Sequence, residues 1–328
     1  MSTHLARHRA EMEKQAYPAV ERFLQYHPEY ALAANQSGSQ SVTNYVIFGR
    51  RILERGGEQP VVFKYFCQDE RKEREVYALR HFGTTGVVPQ LLEDYDKRLI
   101  VQSRIPGNWF SHPANPAFGS FEAQRMGYTL GQATAKLLSM PLSAQAAQEY
   151  ESRFYEGQPL VDYLREILDA SWMIHERVDR YQSPIFASSL KHIEANLPYI
   201  LNQKRLLYHQ DAMNMHFLDS NFSGFFDLEM CRVGTEAMQI GSLWTIFATL
   251  GIWDAFVQGY ATISGRELDE QDLAAGRAFA HFLVWRYISR YGRWRGEPLE
   301  PEQHTKEIED AATYSRDIER NNTVGRNP

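Results

Sequence analysis

The stretch Leu206-Leu-Tyr-His-Gln-Asp-Ala-Met-Asn-Met-His-Phe-Leu218, followed by Gly224-Phe-Phe-Asp-Leu-Glu229, constrains this chain more than any other part of it. Two short apolar runs flank a polar segment, and a further apolar run ends in an acid. Apolar runs this short, bounded by turn-forming residues, read as strands. A hairpin of two such strands puts Asp211 and Asp227 at neighbouring strand ends. Paired carboxylates so placed suit phosphoryl transfer. One accepts a hydrogen bond from an attacking hydroxyl, and the other holds magnesium against the phosphates. Such chemistry asks the protein mainly to place charge.

The rest of the chain gives this segment a setting. At 328 residues it is long enough for about two domains of roughly 150 residues. Residues from about His4 to Gln25 pattern as an amphipathic helix. Tyr30 to Ala34, Tyr45 to Phe48, Pro60 to Phe66, Val88 to Leu92 and Leu99 to Ser103 read as strands, and Gln68 to His81 as a charged helix. Beyond Ile105-Pro-Gly107 the character changes. Phe121 to Leu138, Leu160 to Arg177, Ser189 to Leu201, Ile240 to Thr262, Asp269 to Tyr291 and Pro301 to Ile318 pattern as helices, with a β-like island from Arg205 to Asp227. The expectation is a strand-rich N-terminal lobe over residues 1–104 and a helical C-terminal lobe over 105–328, with the boundary near Ser103 to Gly107.

Composition narrows the function classes. Lys plus Arg number 35 against 41 Asp plus Glu, a net charge of −6, so nucleic-acid binding through phosphate neutralisation is not expected. The longest apolar-leaning stretch, Ile240 to Trp253, falls short of the roughly 20 residues that span a bilayer, so no membrane association is expected. Two cysteines, Cys67 and Cys231, cannot build a disulfide framework. With an N-terminus lacking an apolar h-region, this points to the cytoplasm. The oligomeric state is left open by the residues.

The motifs, taken in order, resemble the aminoglycoside phosphotransferase and choline-kinase-like family, relatives of the protein kinases. His209-Gln210-Asp211 is similar to that family's catalytic loop, and Asp227 to the metal-binding Asp that ends an apolar strand. Lys64 stands inside an apolar strand, as the family's ATP-phosphate lysine does, and Glu75 eleven residues on matches the helix Glu that pairs with it. Gln36 to Asn44 sits where the phosphate-covering loop belongs, and Gln102 to Ile105 where the adenine-contacting hinge belongs. The resemblance spans about residues 30 to 300. It implies an α+β, two-lobed, protein-kinase-like fold with an extra N-terminal helix, and an ATP- and magnesium-dependent phosphotransferase acting on a hydroxyl of a small molecule. Asp211 would be catalytic. Lys64, Glu75, Ser37, Gly38, Ser39, Gln102, Arg104 and Ile105 would bind the nucleotide, and Asp227, with His216 or Asn214, the metal.

The chain departs from the family pattern at specific places. Five residues after Asp211, where relatives carry Asn, stands His216, and the nearest Asn is Asn214. Imidazole suits zinc or manganese better than magnesium. A zinc set of His209, His216, Asp227 and Glu229 has no recognisable spacing. The covering loop holds one glycine, Gly38, among Ser37, Ser39, Ser41 and Thr43, which hinders close backbone approach to phosphates. Gln239 or Glu236 occupies the region where relatives often carry a further Asp. Residues 145–200 show no carboxylate cluster of the kind a polycationic acceptor needs. Arg286, Arg290, Arg293 and Arg295 read as a solvated basic face, and His209 as a structural residue of its loop. Two other readings stay open: a pseudokinase acting as a nucleotide-binding or scaffolding module, and nucleotidyl transfer on the same fold.

Overall fold

The computed structural model describes residues 3–33, 44–109, 119–247 and 250–292. The chain divides into two compact units. The first holds residues 1–109, 214–219 and 223–231, and the second holds 110–213, 220–222 and 232–328.

The first unit is built on a five-stranded antiparallel sheet. Its strands are β1 (Tyr30–Leu32), β2 (Asn44–Ile52), β3 (Glu58–Phe66), β4 (Leu91–Asp94) and β5 (Leu99–Ser103), ordered β1-β2-β3-β5-β4. Side chains alternate between the faces of a strand. In β3 the odd residues Val61, Phe63 and Tyr65 join Val101, Leu99, Tyr45 and Ile47 in a core closed by α1 (Thr3–Tyr26), through Met12, Ala16, Ala19, Val20 and Phe23. The helix exists because these residues recur at helical spacing and find an apolar sheet face. The even residues Val62, Lys64 and Phe66 therefore point to the opposite face. Gln102, which pairs with Val62, and Ile100, which pairs with Lys64, share it. Helix α2 (Asp69–Phe82) follows β3, with Asp69 and Glu70 in its first turn and Arg80 and His81 in its last, as the helix dipole favours. The short strands β6 (Asn108–Trp109), β8 (Met215–Leu218) and β9 (Asn221–Phe225) form a further sheet; β8 and β9 are adjacent in it, whereas the expected hairpin with Asp211 at a strand end is not formed, since Asp211 lies in a turn before β8.

The second unit is helical: α3 (Phe121–Leu138), α4 (Ala144–Phe154), α5 (Leu160–Arg177), α6 (Pro184–Asn202), α7 (Glu236–Phe247), α8 (Trp253–Ser264) and α9 (Glu270–Gly292). A two-stranded antiparallel ladder, β7 (Leu206–Tyr208) with β10 (Arg232–Gly234), is set among them. Its core includes Leu164, Leu190, Ile193, Tyr208, Met238, Phe279, Phe282 and Trp285. Helices α3 and α8 approach closely at Gly131, where an added Cβ would lie 2.1 Å from the Phe256 carbonyl oxygen.

Three sequence expectations change here. Ile240 to Thr262 is not one helix. Gly251, at φ 62°, takes a left-handed conformation that continues no helix, so α7 ends at Phe247 and α8 restarts at Trp253. Helix α4 was not expected, and α6 starts at Pro184 rather than Ser189, with a proline at its first turn where the missing N–H costs nothing. The helix expected from Pro301 to Ile318 lies outside the described residues. Cys67 and Cys231 are free thiols, and no described helix is long and apolar enough to cross a membrane.

Candidate active site

The first unit gathers a buried charged cluster from four segments far apart in the chain. Lys64, on the inner face of β3, contacts both Glu75 of α2 and Asp227, which follows β9. Lys64 and Glu75 are buried, and the Asp227 side chain keeps 19% exposure. Asn44, the first residue of β2, donates one amide nitrogen to Asp227 Oδ1 at 3.2 Å and to Glu229 Oε2 at 2.9 Å. Arg71 of α2 donates to Glu229 Oε1 at 2.8 Å. Asn214 donates to the other oxygen of Asp227 at 3.3 Å.

Burial works against the charge of Lys64, but the carboxylates of Asp227, Glu75 and Glu229 outweigh it and hold the ammonium above its ordinary pKa. Burial pushes Glu75 upward, against the pull of Lys64, and Asp227 and Glu229 add to the push. Asp227 itself sits at φ 61°, ψ 57°, a left-handed conformation costing a non-glycine residue about 1 kcal/mol or more. Strain of this kind persists where surrounding contacts impose it, and here four side chains grip the carboxylate or its neighbour Glu229.

Oxygens of Glu75, Asp227 and Glu229 lie within 4.8 Å of one another. Glu75 Oε1 and Asn44 Oδ1 are buried with no partner among the described residues. A set of hard carboxylate and amide oxygens, two of them unpartnered, fits magnesium.

The expected site residues fall into distinct groups. Lys64, Glu75, Asn214 and Asp227 come together. His216 does not join them. It lies in β8 between buried Met215 and Phe217, its Nδ1 3.2 Å from the Ile105 carbonyl oxygen and its ring tilted on Phe226. Burial lowers its pKa and Arg104 adds to this, against the Ile105 carbonyl. The reason is spacing. Phe226 donates its N–H to the Asn214 carbonyl at 2.9 Å, which brings Asn214 to the open end of the β8–β9 hairpin beside Asp227. His216, two residues on, is already inside the strand.

Gln102 is buried on the Lys64 face, and its Oε1 has no partner among the described residues. Arg104 is exposed, its guanidinium 4.6 Å from the centre of the Phe48 ring, and Ile105 is buried. Ser37, Gly38 and Ser39 lie outside the described residues. Asp211 is exposed, in a turn after β7, and belongs to the second unit. Beside it His209 is buried, and its backbone N–H donates to Gln239 Oε1 at 2.7 Å. Glu236 serves a different purpose, accepting from Tyr260 and from Arg266. Arg286 is not on a solvated face: it is half-buried, with the Gln210 side-chain amide against its guanidinium. Sequence reasoning missed Arg71, and it placed Asn44 at the end of the covering loop rather than at the start of β2 against Asp227 and Glu229. The only available signal was a polar residue opening a strand and a cation one helix turn before Glu75.

Residues 51–279 match the model of the phosphotransferase enzyme family. The chain belongs to that family. The fold also matches solved structures of aminoglycoside and macrolide phosphotransferases. An ADP-bound aminoglycoside phosphotransferase, APH(2'')-Ib, superposes with a TM-score of 0.56 at 14% identity, covering 91% of this chain and 98% of that one. Macrolide 2'-phosphotransferase MphH from Brachybacterium faecium gives 0.57 at 15%, covering 90% and 96%. A thermostable mutant of APH(4)-Ia in ternary complex with ADP and hygromycin B gives 0.55 at 12%, covering 94% and 99%. No curated protein sequence matches the chain. At these identities the likeness to solved structures establishes the fold: mixed α and β, kinase-like, with a β-rich unit and a helical one.

Proposed function

We propose that this phosphotransferase moves the γ-phosphoryl group of ATP to a hydroxyl of a small molecule, with magnesium. The observation that carries the reading is the Lys64–Glu75–Asp227 contact set, assembled from a strand, a helix and a post-strand turn that the sequence keeps apart. Nucleotide in the related structures supports it, since one holds ADP and another ADP with hygromycin B.

Each residue has a task that follows from its chemistry. Lys64, kept charged by its carboxylate neighbours, pairs with the α- and β-phosphates, and Glu75 fixes its reach. Asp227 and Asn214 hold the metal, with Asn214 in place of the amide that relatives carry five residues after the catalytic Asp. Magnesium, when bound, neutralises charge developing on the phosphate oxygens. Gln102, Arg104 and Ile105 border the adenine. Asp211 accepts the hydroxyl proton as the acceptor oxygen bonds to phosphorus and the bond to the β-phosphate oxygen breaks, leaving ADP. The exposure of Asp211 suits a group that must meet an acceptor.

Product mass tests the reading. Incubation with ATP, magnesium and a panel of hydroxyl compounds should add one phosphate, about 80 Da, to one acceptor. A gain of about 329 Da would instead mean nucleotidyl transfer. Metal-independent nucleotide binding without turnover would mean a pseudokinase.

A further inference from the structure

The ladder that leads into Asp211 has a surplus of buried donors. In the β7–β10 pair, Tyr208 stands opposite Arg232, so the two side chains share one face. Tyr208 is fully buried and Arg232 is 6% exposed. The Arg232 guanidinium lies 3.6 Å from the centre of the Tyr163 ring and 4.2 Å from that of Tyr155. Burial and Tyr163 push the Tyr208 hydroxyl pKa up, while Arg286 and Arg232 pull against them, so both cations bear on that hydroxyl. Around this ladder the Tyr208 hydroxyl, Arg232 Nη2, Arg205 Nη1, the Thr235 hydroxyl and Gln239 Nε2 are buried without a partner among the described residues. All five can donate. Glu151, half-buried, is the acid that Arg205 and Arg232 act on, one against two, and Arg286 acts on the Tyr208 hydroxyl as a further cation.

A buried donor without an acceptor costs on the order of 1–3 kcal/mol, and such a group calls for an ion or ligand. Several donors with surplus positive charge call for an oxyanion, and a guanidinium fork is shaped for one. We propose that Tyr208 and Arg232, with Arg205 beside them and Arg286 adding positive charge, form an anion subsite for the acceptor, so that the acceptor is a hydroxylated acid bearing a carboxylate or a phosphate. Tyr208 precedes Asp211 by three residues, at most about 10 Å of chain, so one small molecule can present its anionic group to the first and its hydroxyl to the second. The acceptor role rests on the phosphotransferase reading above; the anion site itself does not.

The test is thermal unfolding at constant ionic strength, with phosphate or acetate replacing chloride, on wild type, Tyr208→Phe and Arg286→Gln. Wild type should gain a saturable rise, and each variant should weaken the midpoint concentration at least tenfold, roughly the loss of one charge-assisted contact. In chloride alone Tyr208→Phe should melt no lower than wild type, because its hydroxyl has no partner among the described residues to lose. A rise shared equally by wild type and both variants would be general salt exclusion and would overturn the site. So would the absence of a saturable rise, or a lower melting point of Tyr208→Phe in chloride. Phosphate acting without acetate would assign a phosphorylated acceptor, and both acting would admit carboxylates. A saturable anion rise without phosphorylation of glycerate or glycerol 3-phosphate would remove the acceptor role and leave the site. Phosphorylation of a polycationic aminosugar without an anion rise would remove the site and leave the phosphotransferase.

Discussion

In the β-rich unit, three buried oxygens have no partner among the described residues: Asn44 Oδ1, Glu75 Oε1 and Gln102 Oε1. Around β7 and β10 in the helical unit, the buried atoms in that state are donors, from Tyr208, Arg232, Arg205, Thr235 and Gln239. The two regions thus ask for opposite partners. Surplus oxygens on the Lys64 face suit a cation and the amino group of a base. Surplus donors beside the Asp211 segment suit an anion. An unmet polar group is costly in an interior of low dielectric, and the proposed nucleotide site and anion subsite would each supply the partner that its region lacks.

The largest expected effect breaks the first region. Lys64→Met leaves Glu75 and Asp227 facing each other without their cation. Urea denaturation should show a loss of about 3–5 kcal/mol. If stability held, the contacts of Lys64 would not be what organises the cluster. Asp211→Asn probes the second region without disturbing the first. Turnover should fall by about 10²–10⁴, while nucleotide titrations by calorimetry stay as in wild type. Unchanged turnover would remove Asp211 from the reaction.

A pH effect separates the helical unit's core from both sites. His281 of α9 is buried, its ring centre 5.6 Å from that of His192 of α6, and burial, His192 and Arg277 together lower its pKa from 6.5 to about 4. The unfolded chain therefore takes up the proton first as pH falls. Stability from this residue is intact above pH 6.5 and lost progressively down to pH 4, by about 3 kcal/mol in all. In melting curves from pH 7 to 4, His281→Leu should show a shallower fall than wild type, and parallel curves would contradict this.

Smaller effects sharpen the picture. Asn44→Ala removes two hydrogen bonds to carboxylates and should cost about 2 kcal/mol, with a weaker metal dependence of nucleotide binding. By contrast Arg50, paired with Glu58 at 2.7 Å where both side chains are about half exposed, should be replaceable by Ala within about 0.5 kcal/mol. A larger loss there would mean that surface pairs of the sheet matter as much as its buried cluster.

Much of this was legible in the residues. The spans read for β5, α3 and α5 match the structure residue for residue, because each has a clear apolar period and a turn or cap at its ends. Helix α4 was not legible: it buries Ala147, Tyr150 and Phe154 among Gln and Glu, too little apolar surface to stand out. The break between α7 and α8 was hidden inside an unbroken apolar pattern, where only Gly251 marks it. Within the site, Lys64, Glu75 and Asp227 were readable because their order along the chain resembles the family's. That Asn214 rather than His216 stands beside Asp227 was not, since two residues along the chain decide which side chain lies at the open end of the hairpin and which inside the strand. Asn44 and Arg71 look like any polar residue of a strand or helix until the fold brings Glu229 to them. Arg286 misled for the same reason, since a basic run gives no sign of which arginine turns inward.

The central claim is that Lys64 and Asp227 belong to a metal-dependent nucleotide site. Thermal unfolding with ATP, with and without magnesium, on wild type and Asp227→Asn, tests it most directly. A ligand that binds only the folded chain raises stability by RT ln(1 + [L]/Kd), about 2.7 kcal/mol at a hundredfold excess over Kd. The account predicts a magnesium-dependent rise in wild type that Asp227→Asn loses. A rise of equal size in both proteins, or none with any nucleotide and metal, would contradict it.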